Sequence, residues 1–242
     1  MKISIKAMQK LSKIKNSAYD AIKIEYLYHS NKLEGSTFSK DNLVDLIEEK
    51  KVSGEHFLDD VIETKNSLEL FDDVINSLEE PFDKQLLWKW HRVLKKGTVD
   101  DEINNIGRWK KYENQLSKTN LKLCKPHLVE NNIFNLLEDW KESKKDIYSI
   151  ANFHQKFEHI HPFQDGNGRI GRFIILRKCI ENSIDLISID DEYNKEYKEA
   201  LYNAQTTGNI DLLVKVFEKC QKRLDEKLSE YIPTINKVSK EV

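Results

Sequence analysis

Apolar residues recur at three- and four-residue steps along most of this chain, and interruptions of the pattern are rare. The 242 residues include only four prolines and eight glycines. Such spacing places apolar side chains on one face of an α-helix, whereas a half-buried strand alternates at every second residue. The pattern therefore predicts an all-α fold, in which amphipathic helices pack around a shared core.

The spacing predicts a long first helix over about residues 5–34, followed by Gly35, a residue type favoured just beyond helix C-termini. Ser39 is a suitable N-cap for a short helix after it. Further helices are predicted over about 55–78, over 86–94, after Pro126, on both sides of His161, from Asp190 to Thr206 and from Ile210 to Tyr231. No linker interrupts the series, so we expect residues 1–242 to form one domain.

The segment from Arg108 to Cys124 departs from helical spacing. It is long, and the polar run Ser117-Lys118-Thr119-Asn120 lies in its middle. Weak alternation on both sides of this run favours a β-hairpin, and an irregular surface loop is the alternative that the residues leave open.

Charge and cysteine content narrow the classes of partner and compartment. The formal net charge is −2, so no overall positive field favours nucleic acid or anionic lipid. The three cysteines form no CxxC pair, so neither a zinc site nor a disulfide framework is indicated. No apolar run approaches the roughly 18 residues of a membrane span, and no signal peptide is recognisable. We expect a cytoplasmic protein that binds neither nucleic acid nor membrane.

Chemically active residues concentrate between His161 and Arg172, in the sequence HPFQDGNGRIGR. His161 can take up a proton near neutral pH. Asp165 can hold a hard cation such as Mg²⁺. Arg169 and Arg172 are three residues apart, so on a helix they share a face and can contact successive phosphates.

The glycines of this segment fit a turn that leads into a helix N-terminus. Gly166 and Gly168 let backbone N–H groups approach an anion, and Asn167 between them offers an amide. The dinucleotide-binding pattern G-x-G-x-x-G is also matched, but it requires a preceding strand, and residues 151–160 have helical spacing. A Walker phosphate loop is excluded because no Gly-Lys-Ser/Thr follows.

The segment resembles the Fic motif, H-x-F-x-[D/E]-G-N-G-R-x-x-R, at every defined position, and the resemblance covers about residues 5–225. It implies a Fic-type helical bundle with a short β-hairpin flap before the catalytic motif. It also implies an enzyme that transfers AMP from ATP to a Ser, Thr or Tyr hydroxyl of a target protein and releases pyrophosphate.

The same resemblance implies roles for the loop residues. His161 would be the general base that takes the hydroxyl proton. Asp165 would hold Mg²⁺, with Mn²⁺ as an alternative ion. Asn167 and the backbone N–H groups around Gly166 and Gly168 would hold the α-phosphate.

Further roles follow for residues on the helix and beyond it. Arg169 would contact the β-phosphate and Arg172 the γ-phosphate. The flap at 108–124 would align the target segment by strand-like pairing. Tyr197 and Gln205 are candidates for the adenine pocket, with core packing or surface exposure as the alternative.

A second motif lies at the end of the first predicted helix. Ser30 and Glu34 are four residues apart and share a helix face, and Gly35 follows. The stretch is similar to the inhibitory pattern of Fic proteins, [S/T]-x-x-x-E-[G/N]. That similarity implies an inhibitory helix over about 5–35, whose Glu34 pairs with Arg172 and blocks productive ATP binding.

The resemblance also sets the expected partners and rival functions. ATP and a hydroxyl-bearing protein are the expected partners, together with self-modification and a homo-oligomer. Within the family, Doc-type motifs have lysine in place of the second glycine and transfer phosphate, so Gly168 favours AMP transfer. The alternatives are transfer of another phosphate-containing group, removal of AMP from a target, and a non-catalytic nucleotide-binding helical module.

Overall fold

The computed structural model describes residues 1–115 and 121–241, in which twelve α-helices occur. They are α1 Ile5–Leu11, α2 Ala18–Leu33, α3 Lys40–Glu48, α4 Leu58–Asn76, α5 Lys84–Lys95, α6 Val99–Glu102, α7 Val129–Lys141, α8 Ile147–Ile160, α9 Asn167–Glu181, α10 Asn194–Thr207, α11 Asp211–Lys227 and α12 Ile232–Lys240. These described residues include no strand, which confirms the all-α prediction for them. None of their helices is long and apolar enough to cross a bilayer.

The prediction of one helix over 5–34 is wrong, because the structure divides it into α1 and α2. Asn16 adopts a left-handed backbone with φ 55°, which a continuous α-helix does not accommodate. Ser17 then caps α2: its side chain accepts a hydrogen bond from the N–H of Tyr19, and the Asp20 carboxylate accepts one from the N–H of Ser17. Gly35 follows α2 with φ 90°, as its residue type predicts.

The C-terminal helix predicted from Ile210 to Tyr231 is also wrong in extent. It ends at Lys227, and α12 follows as a separate helix. The sequence did carry signals for α12: a proline in its first turn and two buried residues three apart, Ile235 and Val238.

Helix α9 lies at the centre of the fold. Nearly all of its side chains are buried, and α2, α4, α5 and α8 pack against it. Helix α8 lies against α9 at Gly171, where a Cβ would overlap the Oε1 atom of Glu158. The loop between α8 and α9 therefore opens next to α2, α4 and α5, and these helices form the surroundings of the site.

The proposed flap lies partly outside the described residues, which omit 116–120. Its described parts, 108–115 and 121–124, contain no strand. The N–H of Lys110 donates to the carbonyl of Pro162 at 2.8 Å, and that of Cys124 donates to the carbonyl of His159 at 3.2 Å. Both arms thus lie against the segment around His161, and the hairpin itself stays a prediction.

Candidate active site

The loop before α9 is held in shape by the side chain of Asn167. Its Oδ1 accepts from the N–H of Phe163 at 2.8 Å, and its Nδ2 donates to the carbonyl of Phe163 at 2.9 Å. Gly166 precedes it with φ 78°, a conformation that favours glycine. The Asn167 amide is thus used within the loop. What it leaves for an anion are the first backbone N–H groups of α9, which have no acceptor inside the helix.

The backbone conformation and hydrogen bonding of His161 orient its ring so that Nε2 can accept a proton. It has a left-handed backbone, with φ 49° and ψ 62°, and its Nδ1 lies 3.3 Å from the carbonyl of Glu158. A carbonyl can only accept, so Nδ1 carries the proton and Nε2 presents its lone pair. Burial and the nearby Lys110 ammonium lower the pKa of His161 to about 4. The imidazole is therefore neutral at pH 7.

Arg172 is buried and bound by α2 from two positions. Its Nε donates to Ser30 Oγ at 2.9 Å, and its Nη2 donates to the Ser30 carbonyl at 3.0 Å and to Glu34 Oε1 at 2.6 Å. Burial opposes ionisation of Glu34, but Arg172 and Arg169 outweigh it and hold the pKa of Glu34 below its usual value. The pair is therefore ionised at neutral pH, with Arg172 buried and the Glu34 side chain 38% exposed.

Glu34 also lies against the N-terminus of α9. A Cβ on Gly168 would overlap Glu34 Oε1, so the carboxylate rests directly on the backbone at this glycine. The cleft left beside Glu34 and Arg169 is about 110 Å³, well below the roughly 300 Å³ at which ligand pockets begin. A larger groove of about 560 Å³ lies between α7 and α8 and includes no residue of the His161–Arg172 motif.

Arg169 belongs to an ion-pair network that sequence analysis did not predict. Its Nη1 lies 2.5 Å from Glu63 Oε2, and its Nη2 lies 3.6 Å from Asp165 Oδ2. Lys95 contacts Glu63 Oε1 at 2.5 Å and Asp165 Oδ2 at 2.6 Å. A signal for Lys95 did exist, because it occupies the buried face of α5 beside Leu94.

Asp165 has the properties of a cation ligand. Burial opposes its ionisation, but the Lys95 and Arg169 charges lower the pKa of Asp165 to about 2. Its side chain is 57% exposed at the mouth of the site, so the carboxylate is both charged and accessible. A hard divalent ion suits such an oxygen donor.

His91 is a further residue that the motif did not reveal. Its ring stacks on Phe163, with centroids 4.1 Å apart. Its Nδ1 accepts from the N–H of Gly107 at 2.9 Å, and its Nε2 contacts the Asp165 carbonyl at 3.1 Å. Nε2 must therefore carry the proton. Burial lowers the pKa of His91 to about 4, so a neutral imidazole packs against the loop before α9.

Of the two adenine-pocket candidates, Tyr197 lies beside Arg172 and Gln205 contacts α8. Tyr197 is buried, and its hydroxyl lies 2.8 Å from Nε2 of His154. Gln205 is half-buried, and its side chain lies 3.4 Å from the carbonyl of Gln155. The structure thus places Tyr197 beside Arg172 and Gln205 against α8, and it brings together the remaining predicted residues: Ser30, Glu34, Gly35, His161, Asp165, Gly166, Asn167, Gly168, Arg169 and Arg172.

Comparison with known sequences agrees with this geometry. Residues 81–177 match the sequence model of the Fic/DOC family. A probable protein adenylyltransferase of Aquifex aeolicus is 34% identical over 83 residues, which are 33% of this chain and 25% of the relative. The protein adenylyltransferase Fic of Aedes aegypti is 29% identical over 96 residues, which are 38% of this chain and 19% of the relative. The chain thus spans about a quarter or less of these relatives.

Solved structures share the fold over nearly the whole chain. A Fic domain-containing signalling protein of Bacteroides thetaiotaomicron superposes with a TM-score of 0.73 and 20% identity, covering 98% of this chain and 96% of that one. Fic-1 of C. elegans gives a TM-score of 0.72 and 19% identity, covering 96% of this chain and 71% of that one. At such identities the likeness establishes the arrangement of helices.

Proposed function

We propose that this chain, which is a Fic family protein, transfers AMP from ATP to a hydroxyl group of a target protein and releases pyrophosphate. The observation that carries the proposal is the pairing of a neutral histidine with an anion site. His161 offers an unprotonated Nε2, and the N-terminus of α9 presents backbone N–H groups beside Arg169 and Arg172. The names of the curated relatives agree with this reaction.

His161 acts on the attacking hydroxyl. Its Nε2 takes the proton as the target oxygen forms a bond to the α-phosphorus, and the bond from that phosphorus to the bridging oxygen of pyrophosphate breaks. The Glu158 carbonyl keeps the Nδ1 proton in place, which fixes the tautomer during transfer. The Glu158 carboxyl is buried, which raises its pKa to about 8, so it leaves the resting imidazole uncharged.

The start of α9 binds the phosphates. Its N–H groups and the positive end of its dipole stabilise charge on the α-phosphate oxygens. Gly168 keeps this surface open, because a side chain would fill the space over the helix start. Arg169 binds the β-phosphate and Arg172 the γ-phosphate. A Mg²⁺ ion held by Asp165 supplies further charge neutralisation when bound.

Glu34 regulates the same surface. Its carboxylate rests on Gly168 and engages Arg172, so it occupies the positions that phosphate oxygens need. ATP can bind productively only after Glu34 leaves, and Ser30 of α2 meanwhile accepts two hydrogen bonds from the Arg172 side chain. We propose that α2 is the inhibitory element and that movement of its C-terminal turn starts catalysis.

Two labelled forms of ATP test the proposed reaction. The protein is incubated with candidate targets and with ATP labelled at the α- or at the γ-phosphate. AMP transfer puts the α-label on protein and leaves the γ-label in pyrophosphate, whereas phosphate transfer puts only the γ-label on protein. A protein-bound γ-label without an α-label would contradict the proposal.

The pH dependence of transfer provides a separate prediction. Because the pKa of His161 lies at about 4, the neutral base predominates above that value. In a Glu34→Gly background we expect the rate to change less than about twofold between pH 8 and pH 6, and to fall as pH approaches 4. An ordinary histidine, with a pKa of about 6.5, would lose most of its activity before pH 5.5.

Lys110 and Lys111 provide a test variant and its control for the pH dependence of transfer. Lys110 is buried beside the loop and is, after burial, the second cause of the low pKa of His161. Lys110→Met should therefore move the acid limb to higher pH. Lys111 is exposed, and Lys111→Met should leave it unchanged. An acid limb near pH 6.5 in the unsubstituted background would contradict the assigned environment of His161.

A further inference from the structure

Lys95 is a buried lysine with no part in the reaction proposed above. Its side chain is 5% exposed, and three carboxylates surround its ammonium. Glu63 Oε1 of α4 lies at 2.5 Å, Asp165 Oδ2 of the loop at 2.6 Å and Asp100 Oδ2 of α6 at 2.8 Å. Oxygen atoms converging from three elements are also what a bound divalent cation requires, so the ammonium occupies the place of an ion.

We infer that Lys95 is an internal cation that keeps a divalent metal off Asp165 until a nucleotide brings the metal in. The inference rests on the proposed function, since it takes Asp165 as the residue that holds the metal. It adds an order of events: the bare ion does not precede the nucleotide, and the two enter together.

Charge around Asp165 supports this order. Its Oδ2 atom is already bonded to the Lys95 ammonium, and Nη2 of Arg169 lies 3.6 Å from the same oxygen. A bare divalent ion at this carboxylate would face two fixed positive charges at short range, both on side chains that are at most 6% exposed. The oxygens of a triphosphate carry negative charge, so a metal bound to a nucleotide does not meet that repulsion uncompensated.

The same contacts distinguish this role from that of an ordinary structural ion pair. Among the described residues, the one other cation that pairs with any of these three carboxylates is Arg169, which is bonded to Glu63. Because affinity for a divalent ion rises with the charge of its oxygen ligands, the loss of Lys95 should create a metal site. A structural pair would only destabilise the fold when it is broken.

Binding of Mn²⁺ tests the inference, followed by electron paramagnetic resonance of the free ion and compared with protein-free samples, because the nucleotide itself binds Mn²⁺. All variants carry Glu34→Gly, and α,β-methylene-ATP serves as a nucleotide that cannot transfer AMP. The background protein should bind Mn²⁺ only when the nucleotide is present. With Lys95→Met added, Mn²⁺ should bind without nucleotide, at least about tenfold more tightly than to the background.

Two control variants show whether the new Mn²⁺ site lies at Asp165 and depends on Lys95. Adding Asp165→Asn to Lys95→Met should abolish the new site, because the metal has lost its central ligand. Lys96 is the exposed neighbour of Lys95, and Lys96→Met should bind Mn²⁺ as the background does.

Two results would overturn the inference. One is a background protein that binds Mn²⁺ at Asp165 equally well with and without nucleotide, a measurement that needs no folded Lys95 variant. The other is a folded Lys95→Met protein that gains no site. If Mn²⁺ fails to bind even with the nucleotide, the metal-binding role of Asp165 fails as well. If it binds with nucleotide and only the Lys95 result is negative, the proposed function stands without the inference.

Discussion

Removal of the imidazole in His161→Asn should lower the rate of AMP transfer at least about 100-fold, because general-base catalysis by a placed side chain contributes about 10²–10⁴-fold. ATP binding should be unchanged, since in the proposed mechanism Nε2 faces the attacking hydroxyl and α9 binds the nucleotide. Asparagine is the substitution of choice because it tolerates the left-handed backbone at φ 49°. Alanine there would add backbone strain to the loss of the base.

The measurement is a comparison of transfer rate and nucleotide affinity in the same preparations. His127 is exposed and outside the motif, so His127→Ala should match the parent protein in both quantities. A His161→Asn protein that transfers AMP at the parental rate would show that another group takes the proton.

Replacement of Glu34 by glycine should raise the rate of AMP transfer by about tenfold or more. The substitution frees Arg172 and uncovers the backbone at Gly168, both of which Glu34 occupies. A tenfold change corresponds to about 1.4 kcal/mol, which is reasonable for an ion pair whose arginine is buried and whose carboxylate is partly exposed. Glu34→Gln keeps the shape and removes the charge, so it should give a smaller increase.

A matched control separates this effect from a general loosening of a helix end. Glu49 ends α3 as Glu34 ends α2, and it is exposed. Glu49→Gly should leave both transfer and ATP affinity unchanged. Equal transfer by the parent and Glu34→Gly proteins at the same ATP concentration would mean that the observed pairing does not limit activity.

The site could be predicted from the sequence where its functional residues lie within one short segment. The loop and helix that carry His161 to Arg172 could be predicted because each residue type has a distinct chemical use and all lie within one turn and one helix start. The contacts of Ser30 and Glu34 with Arg172 were predictable only from the resemblance to the family's inhibitory pattern. Helical spacing places the two on one face, but it does not state which helix that face will meet.

Other features depended on tertiary contacts that local patterns do not encode. Lys95, Glu63 and His91 come from α4 and α5, far from the motif in sequence, and they reach it only because both helices pack on α9. The division between α1 and α2 was missed because apolar spacing continues across it. The left-handed residue at Asn16 and the capping box at Ser17 interrupt the backbone, and neither changes the apolar pattern.

In the proposed mechanism this site places AMP on a protein hydroxyl, and Glu34 inhibits the transfer. The most direct test is mass spectrometry of the protein and of its targets after incubation of the Glu34→Gly variant with ATP and Mg²⁺. We expect an added mass of one AMP on a Ser, Thr or Tyr side chain, abundant with Glu34→Gly, scarce with the parent and absent when His161→Asn is combined with Glu34→Gly. An added mass of one phosphate, or AMP addition that persists without His161, would contradict this mechanism.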